Sequence, residues 1–460
     1  MAKRTLLPSF PVVQILRMTI LQSPAKSLSL WNDKMLAPIR SQLFQGNKWW
    51  PVLPLILGAG LVSSCSLLGV KREVKQLAAH GVISVQVGSS NRSVPTYALA
   101  WVAAKGTNEM IGFQPVGADG VATFLLLQKQ TYNVGAFADL NNNEVYDGGE
   151  PVAYVRNLQP TPLTATDVRA RPVALYLSPT NGLPPGQTAV LLENAELGDA
   201  LPVALGEIAD LDDRKFSAEV GEMGMWKPYN FILRHGFGIY FLERYDPHRL
   251  PVLFVYGISG SPQDWRAAME KLDRRRYQAW FAYYPSGIRL DKAANGLAAA
   301  VLHLRQRYGF ERMAVVAHSM GGLVSRGAIQ RAVKQTGTNF ICEFFTVSTP
   351  WGGAAAAESA VKHLKYPVPS WRDMAPGSEY LREILSHPLP SGTRHDLMFS
   401  FRHSNRIGLP PENDGVVGVA SELYEPVQAQ AATVFGLPLG HMEIPNSPIT
   451  LQRLEQFLAR

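Results

Sequence analysis

The segment 313–333 constrains this chain most. An unbroken apolar run, Met313–Ala317, passes through His318-Ser319-Met320-Gly321-Gly322 directly into Met320–Val333, which has helical composition. Such a run predicts a strand buried on both faces. A strand joined to a helix without a spacer turns sharply, so side chains two residues either side of Ser319 would collide. Small residues are needed there, and Ala317 and Gly321 supply them. Around this unit, Ile239–Leu242, Val252–Tyr256, Tyr277–Tyr283 and Phe344–Val347 are further runs of strand length, and Ala293–Tyr308 is rich in Ala, Leu and Arg. Strands alternating with helices predict an α/β fold over 237–460: a mostly parallel sheet with helices on both faces.

Earlier in the chain the period changes. Val85 and Val87 alternate with polar neighbours. Tyr97, Leu99 and Trp101 fall on one face, as do Tyr132, Val134, Ala136 and Ala138, with Gly, Asn and Asp clusters between the runs. Short alternating strands with such turns predict a small antiparallel β-sandwich over 80–178. The polar stretch 66–79 reads as a tether. Residues 179–236, opening on Pro184-Pro185-Gly186, read as a connecting segment with no clear period.

The formal net charge of +7 suggests a partner such as nucleic acid, but its placement argues otherwise. Residues 1–65 hold seven Lys or Arg and one acid, so they carry +6 and the rest of the chain +1. The folded part has no basic footprint for phosphates, which predicts no nucleic-acid partner. Lys48 precedes the apolar run Trp49–Val62, followed by Ser63, Ser64 and Cys65. Basic, apolar, then small residues is the order of a secretory signal. Val62-Ser63-Ser64-Cys65 resembles the bacterial lipobox, in which the Cys takes a lipid and becomes the new N-terminus. The competing reading is a short anchor helix that is never cut. With the lipobox, residues 1–65 are a signal sequence, Met35 is the tidier start, and lipidated Cys65 ties an exported protein to the membrane. Ser66 is not acidic, which points to the outer membrane. Only one other cysteine, Cys342, exists, so no intramolecular disulfide is then available.

The strand–turn–helix around Ser319 also has the form of a nucleophile elbow. Ala317 stands where the first Gly of G-x-S-x-G would be. Ser319 would lie at a helix N-terminus, whose free N–H groups favour developing negative charge. Acyl transfer needs two backbone N–H donors aimed at the oxyanion. Met320, after the Ser, offers one. Ile258, in the Gly-rich loop Tyr256-Gly257-Ile258-Ser259-Gly260 after a buried strand, offers the other. An acid and then a histidine should follow the Ser. Asp414, in Asn413-Asp414-Gly415, and His441, in Gly440-His441, have that order. His441 would take the Ser319 proton, and Asp414 would hold the imidazole in the right tautomer. Asp373 and Asp396 also follow Ser319, but in or beside a lid. His363, His387, His395 and His403 precede Asp414 and read as solvated surface residues. His318 reads as structural, bonding near the oxyanion loop.

The ordered set VYGISGSP, AHSMGG, STPWGG, DMAPGSEYL, NDGVV and GH resembles the lipase-like α/β-hydrolases, including bacterial lipases and relatives of the inositol-deacylating enzymes. The resemblance covers about 237–460. It implies an α/β-hydrolase fold, a Ser319–Asp414–His441 triad, Ile258 and Met320 as oxyanion donors, and a lid over about 354–411. Many members have His where this chain has Tyr256. Tyr366, Trp371, Tyr380 and Leu381 either line the site for an acyl chain or pack the lid onto the body. The activity implied is cleavage of an ester or lipid substrate through an acyl-enzyme, with no cofactor for the chemistry. An acyltransferase with the same triad, or an inactive hydrolase body serving as a binding lipoprotein, are the alternatives.

One further pattern lies in the sandwich. Asp139, Asn141, Asn143, Asp147 and Glu150 stand at positions 1, 3, 5, 9 and 12 of a calcium-type loop, with the Val145 carbonyl at position 7. Position 6 is Glu144 rather than Gly, and no helices flank the loop. A structural Ca²⁺ or a polar hairpin turn that binds nothing are the two readings.

Overall fold

The structure, a computed structural model, describes residues 64–460 except 89–93, 103–109, 118–119, 144, 163–171, 184–202, 403, 406–407, 460 and the side chains of 64–68. The expected signal sequence, apart from the backbone of Ser64 and Cys65, lies outside the described residues, as does the Cys65 side chain. Among the described residues no helix is long and apolar enough to cross a membrane.

Among the described residues, eight strands belong to the smaller domain: β1 (His80–Gly88), β2 (Thr96–Val102), β3 (Met110–Pro115), β4 (Val121–Leu127), β5 (Tyr132–Ala138), β6 (Val152–Leu158), β7 (Thr161–Pro162) and β8 (Val173–Tyr176). One sheet runs β3-β2-β5-β6, antiparallel throughout. In the other, β1 pairs antiparallel with β4 and β7 but parallel with β8. The period-two pattern assigns the faces. Ala98, Ala100, Val134 and Ala136 join Val85, Phe124 and Leu126 in one core. Leu99, Trp101, Phe113 and Phe137 point the other way, into a second core closed by Tyr146 and Leu183.

The larger domain is built on β9 (Val203–Ile208), β10 (Phe237–Phe241), β11 (Leu250–Val255), β12 (Tyr277–Tyr283), β13 (Met313–His318), β14 (Ile341–Val347), β15 (Arg394–Ser400) and β16 (Thr433–Leu437). Their order is β16-β15-β14-β13-β11-β12-β10-β9. β11 to β16 are parallel; β10 runs antiparallel to β12, and β9 parallel to β10. Every residue of β12 and β13 is buried, as a sheet covered on both faces requires. From β11 the chain places β12 on one flank and β13 on the other. Such a reversal opens a crevice at the carboxyl ends of the strands, where open α/β sheets bind ligands.

Three boundaries differ from those expected. Residues 66–79 are not a tether but part of a helix, Ser64–Ala79. Val70, Val74 and Leu77 recur at helical spacing and form an apolar stripe, and buried Glu73 accepts bonds from the Asn230 backbone and amide. The connecting segment belongs to the larger domain from residue 203. It supplies β9 and the helices Ala218–Trp226 and Pro228–His235, and its Phe216 meets Tyr240, Phe281 and Tyr283 edge-on at 5.0–5.2 Å. The lid span 354–411 contains β15, a strand of the sheet. The insertion proper is the helices Ala355–His363, Pro369–Met374 and Glu379–Leu385. It is fastened to the helix Met320–Thr336: Tyr380 Oη donates to the Leu323 carbonyl at 3.0 Å, and buried Arg326 to the Ile384 and His387 carbonyls at 2.9 Å. Trp371, Tyr380 and Leu381 are buried in this packing.

Candidate active site

Ser319 sits between β13 and the helix Met320–Thr336 with φ 54° and ψ −131°, a conformation costly for a residue with a side chain. The surroundings enforce it. The Ser319 N–H donates to the Val347 carbonyl at 2.9 Å. A Cβ at Gly321 would stand 2.4 Å from the Tyr256 carbonyl oxygen, and one at Gly257 would stand 2.8 Å from Ser319 Cβ. Glycine at both positions lets the loop after β11 pass directly over Ser319. The expected donors are therefore beside it: Ile258 follows Gly257, and Met320 opens the helix, where the first N–H groups have no intrahelical acceptor.

The structure brings His441 and Asp414 to the same point. His441 Nε2 lies 2.8 Å from Ser319 Oγ, and His441 Nδ1 lies 2.5 Å from Asp414 Oδ2. All three residues are buried. Asp414 arrives from the loop after β15 and His441 from the loop after β16, both at the carboxyl end of the sheet. Asp414 Oδ1 accepts the Val416 and Val417 N–H groups at 2.9 and 2.7 Å, and Oδ2 also accepts the Ser400 hydroxyl at 2.8 Å. Burial works to raise the Asp414 carboxyl, but His441 and these donors outweigh it and hold the group well below the usual carboxylate range.

His318 departs from expectation. Rather than the oxyanion loop, its Nε2 meets the backbone carbonyl of His441 at 3.0 Å, with the rings 4.7 Å apart. Burial, with His441 alongside, pushes His318 down to about 3. It is neutral, and its Nε2–H donates, fixing the segment that carries His441. His395 also departs. It is buried in β15, contacts Thr346 Oγ1 at 2.8 Å, and is pushed down to about 3 by burial. Asp396 lies in β15, and Asp373 pairs with Arg289 at 2.7 Å, away from His441. His363 and His387 are exposed; His403 lies outside the described residues. The sequence reading missed Ser400, which bonds Asp414, and Glu422, a buried acid close to it. Neither carries a motif.

Tyr256 has a definite task. Its hydroxyl donates to the Tyr284 carbonyl at 2.5 Å and accepts the Tyr284 N–H at 2.8 Å, while Tyr284 Oη donates to the Tyr256 carbonyl at 2.6 Å. The two rings stack at 4.7 Å. This clasp ties the start of the loop after β11 to the end of β12. Ser259 N–H adds a bond to Ser286 Oγ at 3.0 Å. Tyr256→Phe strands a buried N–H and carbonyl of Tyr284, and should lower stability by about 1–3 kcal/mol in urea unfolding.

Residues 246–381 match a family model described as "Putative serine esterase (DUF676)". The larger domain has an α/β-hydrolase fold. Among curated proteins no sequence matches the chain. Solved structures similar to part of the chain include Bacillus licheniformis lipase BlEst2 in its mature form (20% identity, 47% of this chain, 94% of that one, TM-score 0.38). Others are a Listeria innocua gene product (15%, 46% and 94%, TM-score 0.36) and Aspergillus fumigatus lipase B (12%, 48% and 56%, TM-score 0.36). A cavity of about 600 Å³ between the sandwich and the hydrolase domain, lined by Val82, Phe237, Ile288 and Ala300 among others, does not include Ser319.

In the sandwich loop, Asp139 and Glu150 are buried and Asp147 gathers its neighbours. Asn141 and Asn143 amide groups donate to Asp147 Oδ2 at 2.7 and 2.8 Å, and Glu150 accepts the Leu140 and Asp147 N–H groups at 2.7 and 2.9 Å. Tyr146, from the same loop, closes the second sandwich core.

Proposed function

We propose that the hydrolase domain cleaves carboxylic esters through an acyl-enzyme. Ser319 Oγ attacks the carbonyl as His441 Nε2 takes its proton. The oxyanion is received by the N–H groups of Met320 and Ile258. The C–O bond breaks, His441 returns the proton to the leaving alcohol, and water then attacks the acyl-Ser319 by the same route. Asp414 keeps Nδ1 protonated, so that Nε2 can accept. The observation that carries this reading is the run of contacts Ser319–His441–Asp414 at 2.8 and 2.5 Å, on a strained serine at the sheet's switch point. The family description supports it. The direct test is hydrolysis of p-nitrophenyl esters of graded chain length by residues 66–460. Turnover supports the reading and its profile separates esterase from lipase. No turnover on any ester, by a folded protein, sinks it.

Two further roles are proposed on narrower grounds. Residues 1–65 act as an export signal, with Cys65 lipidated and the protein held at the outer membrane. A diacylglyceryl mass on an N-terminal Cys65 peptide would support this; a retained residue 64 would not. The loop of Asp139, Asn141, Asn143, Val145, Asp147 and Glu150 holds a structural Ca²⁺. The donor set fits a hard cation, with Asn141 and Asn143 turning their carbonyl oxygens inward where their amides now meet Asp147. Millimolar Ca²⁺ should raise the sandwich melting temperature and a chelator should lower it; identical melting curves count against the site.

A further inference from the structure

A second carboxyl lies beside the triad. Glu422 ends the short helix Val419–Glu422 and is almost fully buried, at 1% exposure. Donor atoms of Asp414, Glu422 and His441 fall within 4.8 Å of one another. The helix is fixed in place: the Gly352 N–H donates to the Ser421 carbonyl at 3.0 Å, and Ser421 Oγ to the Gly353 carbonyl at 2.6 Å. Glu422 therefore stands next to Asp414 by construction.

Ser400 links the two acids. Its N–H donates to Glu422 Oε2 at 3.0 Å and its hydroxyl to Asp414 Oδ2 at 2.8 Å. Ser348 Oγ lies 2.6 Å from Ser400 Oγ and also bonds the Glu422 carboxyl. Ser348 is itself held at φ 47°. The backbone, rather than chance rotamers, sets this chain of hydroxyls.

Two buried carboxyls this close do not both ionise. The donors decide which one does. Asp414 receives four: His441 Nδ1–H, the Ser400 hydroxyl, and the Val416 and Val417 N–H groups. Glu422 receives the Ser400 N–H and a bond from Ser348 and itself bonds Asp414, and no Lys or Arg pairs with it among the described residues. The titratable groups that face it are Asp414 and, beyond, His441. Burial first, and then the Asp414 charge, push the Glu422 carboxyl well above its ordinary value.

We propose that Glu422 is a positioning residue of the triad: a neutral carboxylic acid that, with Ser400, holds Asp414 towards His441 and supplies the carboxylate when Asp414 is lost. This rests on the hydrolase reading above. When Asp414 is present, the neutral form adds no second negative charge behind His441. When Asp414 becomes Asn, burial still raises the Glu422 carboxyl but the like charge is gone, so Glu422 ionises at a lower pH than in the wild type.

The test uses the full chain and its Glu422→Gln, Glu422→Ala, Asp414→Asn and Asp414→Asn/Glu422→Gln variants. Rates on a p-nitrophenyl ester and labelling by a fluorophosphonate are followed from about pH 5 to about pH 9. Glu422→Gln should leave the midpoint of the acid limb in place, because a neutral group replaces a neutral group. Glu422→Ala should lower kcat by about tenfold with KM little changed, since it frees Asp414 to turn. Asp414→Asn should keep residual activity that climbs with pH, and the double variant should lose that climb. An acid limb displaced by more than about half a pH unit in Glu422→Gln would mean an ionised Glu422 and overturn the proposal. So would a double variant no weaker than Asp414→Asn; that pair decides the matter if Glu422→Ala does not fold. A wild type inert to ester and fluorophosphonate sinks the hydrolase reading and the proposal together. An active wild type with an unchanged double variant sinks the proposal alone.

Discussion

Ser319→Ala should leave a folded protein whose ester hydrolysis has fallen by about 10⁴-fold or more in kcat/KM. The substitution removes the oxygen that the proposed mechanism uses to attack the acyl carbon. Little else changes, because Ser319 Oγ makes its hydrogen bond to His441 Nε2 and the fold does not hang on it. Relief of the φ 54° strain is small, since Ala also carries a Cβ. Melting should therefore stay close to wild type while turnover disappears. Activity that survives in a folded Ser319→Ala protein would place the nucleophile elsewhere.

Asp414→Asn is expected to lower kcat near neutral pH by up to about 10⁴-fold, less whatever Glu422 restores as pH rises. The amide presents an N–H where His441 Nδ1–H needs an acceptor, and the favoured tautomer reverses. Stability should respond as well, with a defined sign. The Asp414 carboxyl is held below its unfolded value, so its stabilisation is present above that value and is lost as pH falls through the folded one. Urea unfolding of the wild type should weaken as pH is lowered from about 6 towards 3, and the variant should show a flatter profile. Parallel profiles would mean that Asp414 is not held as a carboxylate by its neighbours.

The parts of this site that could be read from sequence are those where local sterics leave little choice. The Ser319 turn demands small residues at 317 and 321, and the order of Asp414 and His441 follows from where successive strands end. The clasp of Tyr256 on Tyr284 could not be read, because it joins the ends of two strands 28 residues apart through backbone groups that carry no residue signature. Glu422 is eight residues beyond Asp414 and looks like any helix-terminal acid. The helix that carries it is tied through Ser421 to the loop at Gly352 and Gly353, far away in sequence. The domain edge was misplaced for a similar reason. β9 holds Gly206 and Glu207 and shows no clean alternation, so only pairing with β10 reveals it as a strand. His395 reads as a surface residue by composition, yet Thr346 and the ring of Phe344, stacked at 5.0 Å, account for it inside the sheet.

The most direct test of the central claim is to treat the intact protein with a fluorophosphonate and locate the adduct by peptide mass spectrometry. A serine in this setting, with His441 at its hydroxyl and two backbone N–H groups at hand, should be phosphonylated at one position, Ser319, and the label should vanish in His441→Ala. A folded protein that takes no label, or takes it at another residue, would contradict the account.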